Sequence, residues 1–433
     1  MNLTEDQILT LAPDESSKKS GKDLANPAKW VTKGASENAV WGECQGSGSK
    51  PYQAGIDLSN LAFKCSCPSR KFPCKHGIAL GLLYVRQAAS FTTTEAPAWI
   101  TEWIAKRSQR EETKTEKKEK PVDEAAQAKR QKAREQKVTD GVEELLLWIK
   151  DIVRGGIINV PDKPSNFWEG MARRMVDAQA PGIAGMIRTL GNTTFYRDGW
   201  QSLFLDNLLN LYLIAKGYKN RDQLSTASLQ DVRNWIGFTI NQEEVKEQTG
   251  VLDTWLVIGK QVSEEDNLTI ERNWLYGMSS NQYALVLQFL IRGQGATLLL
   301  SPGLYIEAEI VFLPSVTPLR AIIKRHIGSS AKGQLQFFSS WLMIAQAETS
   351  LCSSFPVRSE RPYALSKVTP VHYNNAWWLK DDKHQLVQLK ESYAGLWQLL
   401  SLSGGHPLDM VVIGKERNYE PLGVWADQTY KPL

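Results

Sequence analysis

In Cys65-Ser66-Cys67-Pro68-Ser69-Arg70-Lys71-Phe72-Pro73-Cys74-Lys75-His76, four soft metal ligands fall within twelve residues of a chain that has five cysteines and five histidines in all. Three thiolates and one imidazole complete a tetrahedral shell for Zn²⁺ and leave no open position for a substrate. On an extended segment residues i and i+2 point the same way, so Cys65 and Cys67 can grip a metal from one side. Pro68 and Pro73 stiffen the loop that returns the chain to Cys74 and His76. A Cys65–Cys67 disulfide would close a strained, very small ring. A catalytic Cys74/His76 pair would leave the other two cysteines without a use. The expectation is one structural zinc on Cys65, Cys67, Cys74 and His76, contributing on the order of 10 kcal/mol to local folding.

Just beyond the quartet, Ile78, Leu82 and Val85, with Leu83 beside them, recur at helical spacing and predict a helix to about Gln87. Upstream, the stretch from Ala39 and the segment Tyr52–Leu58 read as two strands. Between them Gly46-Ser47-Gly48-Ser49-Lys50 has a superficial likeness to a phosphate loop, but Ser49 precedes the lysine and Pro51 follows it, so a hairpin turn is predicted. With the Cys-x-Cys-x6-Cys-x-His order, the residues Trp41-Gly42-Glu43, Pro51-Tyr52 and Ile56-Asp57 make residues 40–90 resemble the SWIM zinc finger of bacterial proteins. That resemblance implies a short ββα unit holding one zinc and contacting DNA or protein. Proteins of this layout look like those encoded beside AAA ATPases and von Willebrand A proteins, which makes such a protein the implied partner.

The chain has 433 residues, 42% of them hydrophobic and 23% charged, which predicts a soluble globular protein of two or three domains. No long apolar run marks a membrane span, the acidic N-terminus does not read as a secretory signal, and Cys44 and Cys352 stand alone. A reducing, cytoplasmic location is expected. The net charge of +4 is misleading as an average. Residues 105–137 hold 12 Lys/Arg against 7 Asp/Glu, an excess of +5, which leaves the rest of the chain at −1. No large globular part is therefore a broad cationic surface for duplex DNA.

The predicted organisation is α+β and multidomain. Residues 1–104 form the zinc finger domain, with a short helix and a solvated Ser/Lys-rich connection at its start. Trp99 and Trp103, four residues apart, pack back on the finger in preference to stacking on bases. Residues 105–140 are a charged linker, helical or flexible, because they carry too few apolar residues to bury a core. Residues 141–250 are mainly helical, with helices at Val142–Val153, Phe167–Ala178, Ile183–Leu190, Trp200–Ala215 and Leu229–Trp235. Residues 251–433 are α+β. There the runs Thr254–Ser263, Leu268–Gly277 and Tyr283–Phe289 form an antiparallel meander, extended by Leu298–Leu300 and Tyr305–Phe312. A helix at Gln334–Ala347, a hairpin within Ala376–Leu389, a helix at Tyr393–Leu402 and a strand at Met410–Ile413 complete the reading. No repeat at a solenoid period is visible.

Outside the finger, His326, His372, His384 and His406 are scattered, and Glu243-Glu244, Glu264-Glu265 and Asp381-Asp382 read as solvated pairs in polar turns. No nucleophile elbow, Walker motif or dinucleotide fingerprint occurs, so no enzyme is expected. The leading expectation is a non-catalytic, zinc-stabilised module for protein–protein contact, a scaffold or adaptor. The rival is DNA binding around the finger. Lys64, Arg70, Lys71 and Lys75 bring +4, and a Cys₃His zinc centre −1, so about +3 remains to meet phosphates. A hidden enzyme in the C-terminal part is the third reading, and it would need a concave site with converging polar groups.

Overall fold

A computed structural model describes the chain except residues 1–4, 14, 47–49, 59–60, 70, 93–94, 117–123, 266–267, 292–297, 330–332, 334, 416–417 and 427–428. Helices α1 (Glu5–Thr10) and α2 (Glu15–Leu24) lead into strands β1 (Trp30–Ala35), β2 (Ala39–Cys44), β3 (Tyr52–Asp57) and β4 (Ala62–Cys65), then helix α3 (Lys75–Gln87). The four strands form an antiparallel sheet in sequence order. The two expected strands are β2 and β3 and the expected helix is α3; β1 and β4, which were not expected, extend the sheet on either side. Its core is the apolar face of α3, with Ile78, Leu82 and Leu83 buried against Val40, Ile56 and Phe63.

The solvated connection expected after the first helix is instead α2, and the correction has a packing cause. Gly21 on α2 lies against α3 so closely that a Cβ there would stand 2.6 Å from Ile78 Cγ2. Ser17 and Gly21, small enough to be buried, form the contact face of a helix whose other residues are mostly polar. The turn expected at residues 46–50 lies partly outside the described residues.

Helix α4 (Ala98–Glu116) begins by covering the outer face of the sheet, where Ile100 is buried with Ala39 and Trp41, and Trp99 and Trp103 pack beside them. Helix α5 (Glu124–Arg154) then runs unbroken across the boundary expected at 140/141. Val138, fully buried, already belongs to the helical core. The charged stretch carries few apolar residues, but those at its C-terminal end keep helical phase with Val142 and Leu145, so helix and core begin before the composition changes.

Helices α6 (Ser165–Asp177), α7 (Pro181–Gly191), α8 (Trp200–Lys219) and α9 (Thr226–Ile236) complete the bundle at the positions the periodicity marks. The small helix α10 (Gln242–Glu247) follows. Glu243 and Glu244 therefore occupy the first turn of a helix, not a turn, where their charge suits the helix dipole and Asn241 caps Glu243 N–H.

Strands β5 (Val251–Glu265), β6 (Leu268–Gly277), β7 (Tyr283–Ile291), β8 (Tyr305–Phe312) and β9 (Arg320–Ser329) close into a barrel in the order β5-β6-β7-β9-β8. All pairings are antiparallel except β7–β9. Number these strands one to five. The cycle 1-2-3-5-4-1 with a parallel third–fifth pair is the five-stranded Greek-key topology of the OB-fold. Two expectations fail here. Leu298–Leu300 is not a strand, although Leu300 is fully buried, and Glu264 and Glu265 end β5 instead of forming a turn.

After helix α11 (Trp341–Ser354), which starts seven residues later than expected, the same pattern recurs. Strands β10 (Arg361–Tyr373), β11 (Ala376–Lys380) and β12 (Leu386–Leu389) form a meander; helix α12 (Leu396–Ser403) precedes β13 (Leu408–Lys415), β14 (Asn418–Ala426) and β15 (Thr429–Pro432). β10 pairs with β11 and β13, β13 with β14, and β12 closes the ring by pairing in parallel with β14. The cycle is again 1-2-3-5-4-1, with a helix between strands three and four.

The two barrels share a buried seam. Leu256, Ile258, Trp274 and Tyr276 on the outside of the first meet Ala364, Val411, Ile413 and Leu422 of the second. Ala364 N–H donates to Tyr283 Oη at 2.9 Å, and Tyr430 Oη donates to the Ile258 carbonyl. Gly259, at a bulge in β5, lets Leu422 approach to where a Cβ would be 2.8 Å from its Cδ1. The zinc unit joins the same assembly: Ile8 and Leu11 share one buried cluster with α3 and with barrel residues Trp255, Val257, Leu300 and Ile306. Gln7 Nε2 donates to the Gly303 carbonyl at 3.0 Å, and Ser301 Oγ donates to the Gln7 carbonyl at 3.3 Å. Among the described residues no helix is long and apolar enough to cross a membrane.

Candidate metal centre

Each member of the Cys/His quartet is placed by a different backbone device. Cys65 is the last residue of β4, held in register opposite Ala54 of β3. Past it the chain turns, with Ser66 N–H donating to the Gln53 carbonyl at 2.9 Å and Gln53 N–H to Ser66 Oγ at 2.9 Å, which aims Cys67 back toward Cys65. The Phe72–Pro73 peptide is cis, and the chain then delivers Cys74 to the N-cap of α3 and His76 to its first turn. Gly77 is next because a Cβ there would stand 2.8 Å from the Phe63 ring, which presses the start of α3 onto β4.

The four side chains converge: their ligand atoms all lie within 4.8 Å of one another. His76 Nδ1 is 3.7 Å from Cys65 Sγ and 3.9 Å from Cys74 Sγ. A tetrahedral zinc with Zn–S near 2.3 Å and Zn–N near 2.05 Å has S···N edges of about 3.6 Å, so the donor set fits that ion with only small adjustment. Cys74 and His76 are buried, Cys65 and Cys67 half-buried. The Tyr52 ring packs on the His76 imidazole, centroids 4.9 Å apart, and so fixes its plane. Sequence reading passed over that role of Tyr52; the signal was available, since β3 begins at this residue.

The electrostatics suit a thiolate cluster. A hydrogen bond from Cys65, with others from His76, the Gly77 N–H and Cys67, brings the Cys74 thiol down to about 4, against the effect of burial. The N-terminus of α3 adds its positive end at the same place. The Cys65 thiol moves in the opposite direction because it is the donor to Cys74 and is also desolvated. Burial also pushes up Cys67. One proton is thus easily lost and two are held until a cation replaces them, the usual coupling of metal entry to proton release. Cys44, across from Tyr52 on β2, stays outside the ligand group, and burial pushes its thiol up.

The basic residues around the finger divide. Lys64 is not a free cation beside the ligands. Its Nζ donates to the Trp99 carbonyl at 3.1 Å and lies 5.8 and 5.9 Å from the Trp99 and Trp103 ring centroids. Desolvation there lowers its pKa. The reason is strand alternation: Lys64 and Cys65 point to opposite faces of β4, and the face of Lys64 is the one α4 covers. Lys71 and Lys75 are exposed next to the quartet, and Arg70 lies outside the described residues. Among the described residues, His326, His372, His384 and His406 join no metal-ligand group. Asp381 is buried, not solvated, accepting from the backbone N–H groups of Trp341, Lys383 and Gln385.

No curated protein and no solved structure matches the chain. Two family models do. The SWIM zinc finger matches residues 60–82, which take in all four ligands, and the SWIM-associated four-helix bundle domain matches residues 133–236, from within α5 to the end of α9. With its Cys₃His group gathered between β4 and α3, the chain carries a SWIM zinc finger followed by the SWIM-associated helical bundle.

Proposed function

We propose that this protein is a non-catalytic, zinc-stabilised interaction protein of the cytoplasm, in which one structural zinc secures the finger and the helical bundle docks a protein partner. A metal held by four protein side chains has no position for a substrate, so the zinc serves folding. The observation that carries the docking reading is an apolar strip on α5 and α8. Leu147 is 63% exposed, Leu209 52% and Leu213 40%; Leu147 lines a groove of about 280 Å³ with Leu146 and Tyr212, and Leu209 and Leu213 flank Tyr212 on α8. A bundle helix normally turns leucines inward; here three stand in water. Lys150, Lys216 and Lys219 rim the groove, opposed by Glu143. The matching partner surface is an amphipathic helix with acidic flanks. An AAA ATPase or a von Willebrand A protein, the partner that the resemblance implies, is where such a helix is to be sought.

The test is titration of zinc-loaded full-length protein with a labelled amphipathic peptide of leucine and glutamate at helical spacing. Binding abolished by Leu209→Lys and Leu213→Lys, and only moderately salt-sensitive, supports the reading. Absence of peptide binding, together with salt-sensitive DNA binding that is lost on Lys71→Ala, replaces it with DNA contact through the finger.

A further inference from the structure

A second, narrow cleft, about 30 Å³ in volume, lies between the two barrels beside Phe355 and Val357, which pack on the bundle core. Arg358, Arg361 and Lys415 line it, with Glu348 the one acidic residue in its wall, leaving a net charge of +2. None of the three cations is ion-paired among the described residues. Glu348 accepts from Tyr419 Oη at 2.6 Å, and Arg361 spends one N–H on the Thr317 carbonyl at 2.6 Å. The neighbouring carboxylate of Asp231, on α9, is taken by Val316 N–H at 2.8 Å. Tyr363, 4% exposed, also lines the cleft; its hydroxyl lies beside the Glu348 carboxylate without a hydrogen bond of full geometry. Buried-edge guanidinium N–H groups without a carboxylate partner leave an incomplete donor set.

We propose that this cleft binds the phosphate group of a phosphorylated ligand. Guanidinium groups present paired N–H donors that match a tetrahedral oxyanion, Lys415 adds a point charge, and Tyr363 supplies the inner donor. The position suits such a ligand. Lys415 ends the fourth strand of the second barrel and starts the loop to the fifth, one of the two loops with which OB barrels hold oligonucleotides and oligosaccharides. In the first barrel the outer face of strands one to three is covered by the second. A phosphate of this kind comes either from a single nucleic-acid strand or from a small phosphorylated molecule.

Calorimetric titration of the zinc-loaded full-length protein with inorganic phosphate and with pyrophosphate, alongside anisotropy with a labelled oligothymidylate, tests the proposal and separates the sources. Lys415→Gln and Arg361→Gln are each expected to weaken binding roughly ten-fold, the loss of one charge-assisted hydrogen bond. Tyr363→Phe is expected to weaken it a few-fold. Because Arg361 also holds the Thr317 carbonyl, Lys415→Gln is the decisive variant. Oligothymidylate binding that falls with Lys415→Gln assigns the nucleic-acid strand; phosphate and pyrophosphate binding without it assigns a small ligand. No phosphate binding, or binding unchanged in both variants, overturns the proposal. Neither readout involves the α5/α8 groove.

Discussion

Replacing Ile8 by alanine tests whether the zinc unit and the first barrel are one cooperative structure. Ile8 is fully buried on α1, between α3 and the 301–303 segment of the barrel; a Cβ on Gly81 would stand 3.1 Å from its Cδ1. The substitution removes three carbons, about 2.4 kcal/mol of transfer free energy at ~0.8 kcal/mol each. The cavity left behind raises the total to about 3–4 kcal/mol. With m near 2–3 kcal/mol per molar urea, the midpoint should fall by about 1–2 M. The assay is urea unfolding of the full chain, followed at once by tryptophan fluorescence and by zinc release to a chromophoric chelator. Both transitions should move together, because Ile8, Leu83 and Trp255 belong to one buried cluster. Zinc release shifting while the fluorescence transition stays in place would refute the shared core.

Further outcomes follow from single contacts. Cys74→Ser, at the most ionised thiol of the quartet, should abolish zinc retention after dialysis, measured by metal analysis, and expose the finger to proteolysis between β4 and α3. Asp253→Asn should cost about 2–3 kcal/mol in a denaturant titration, since its carboxylate accepts from the N–H groups of Thr254, Ser279 and Ser280. Burial acts to raise the Asp253 pKa, but these hydrogen bonds outweigh it and hold it below the ordinary value. A depressed carboxylate stabilises the fold fully above its unfolded pKa near 3.9; the contribution is lost as pH falls below that through the lower folded value. In wild type this loss should appear below about pH 4, and in Asp253→Asn it should be absent. Gly182→Ala would put a Cβ 2.1 Å from the Trp235 carbonyl, so α7 and α9 must separate. A thermal midpoint lowered by the equivalent of about 2–3 kcal/mol is expected, and an unchanged midpoint would show that the crossing is loose.

What the sequence determined by itself is what depends on local spacing. The ligand quartet, α3 after it and the bundle helices are set by residues within a few turns of one another, and ligand order or helical period carries that information directly. The strands of the first meander were legible for the same reason, through alternation. The fate of Lys64 was not, because it turns on which face of β4 is covered by α4, 35 residues along the chain. Nor was α2, whose buried face consists of a serine and a glycine that carry no apolar signal. Only the tertiary structure shows the two barrels. Their shared strand order is a property of pairings far apart in sequence, such as β7 with β9 and β12 with β14, and two different sets of residues satisfy it without any repeat in the sequence. The cationic cleft is likewise invisible along the chain, since Thr317, Glu348, Arg361 and Lys415 are brought together only when both barrels and the bundle have packed.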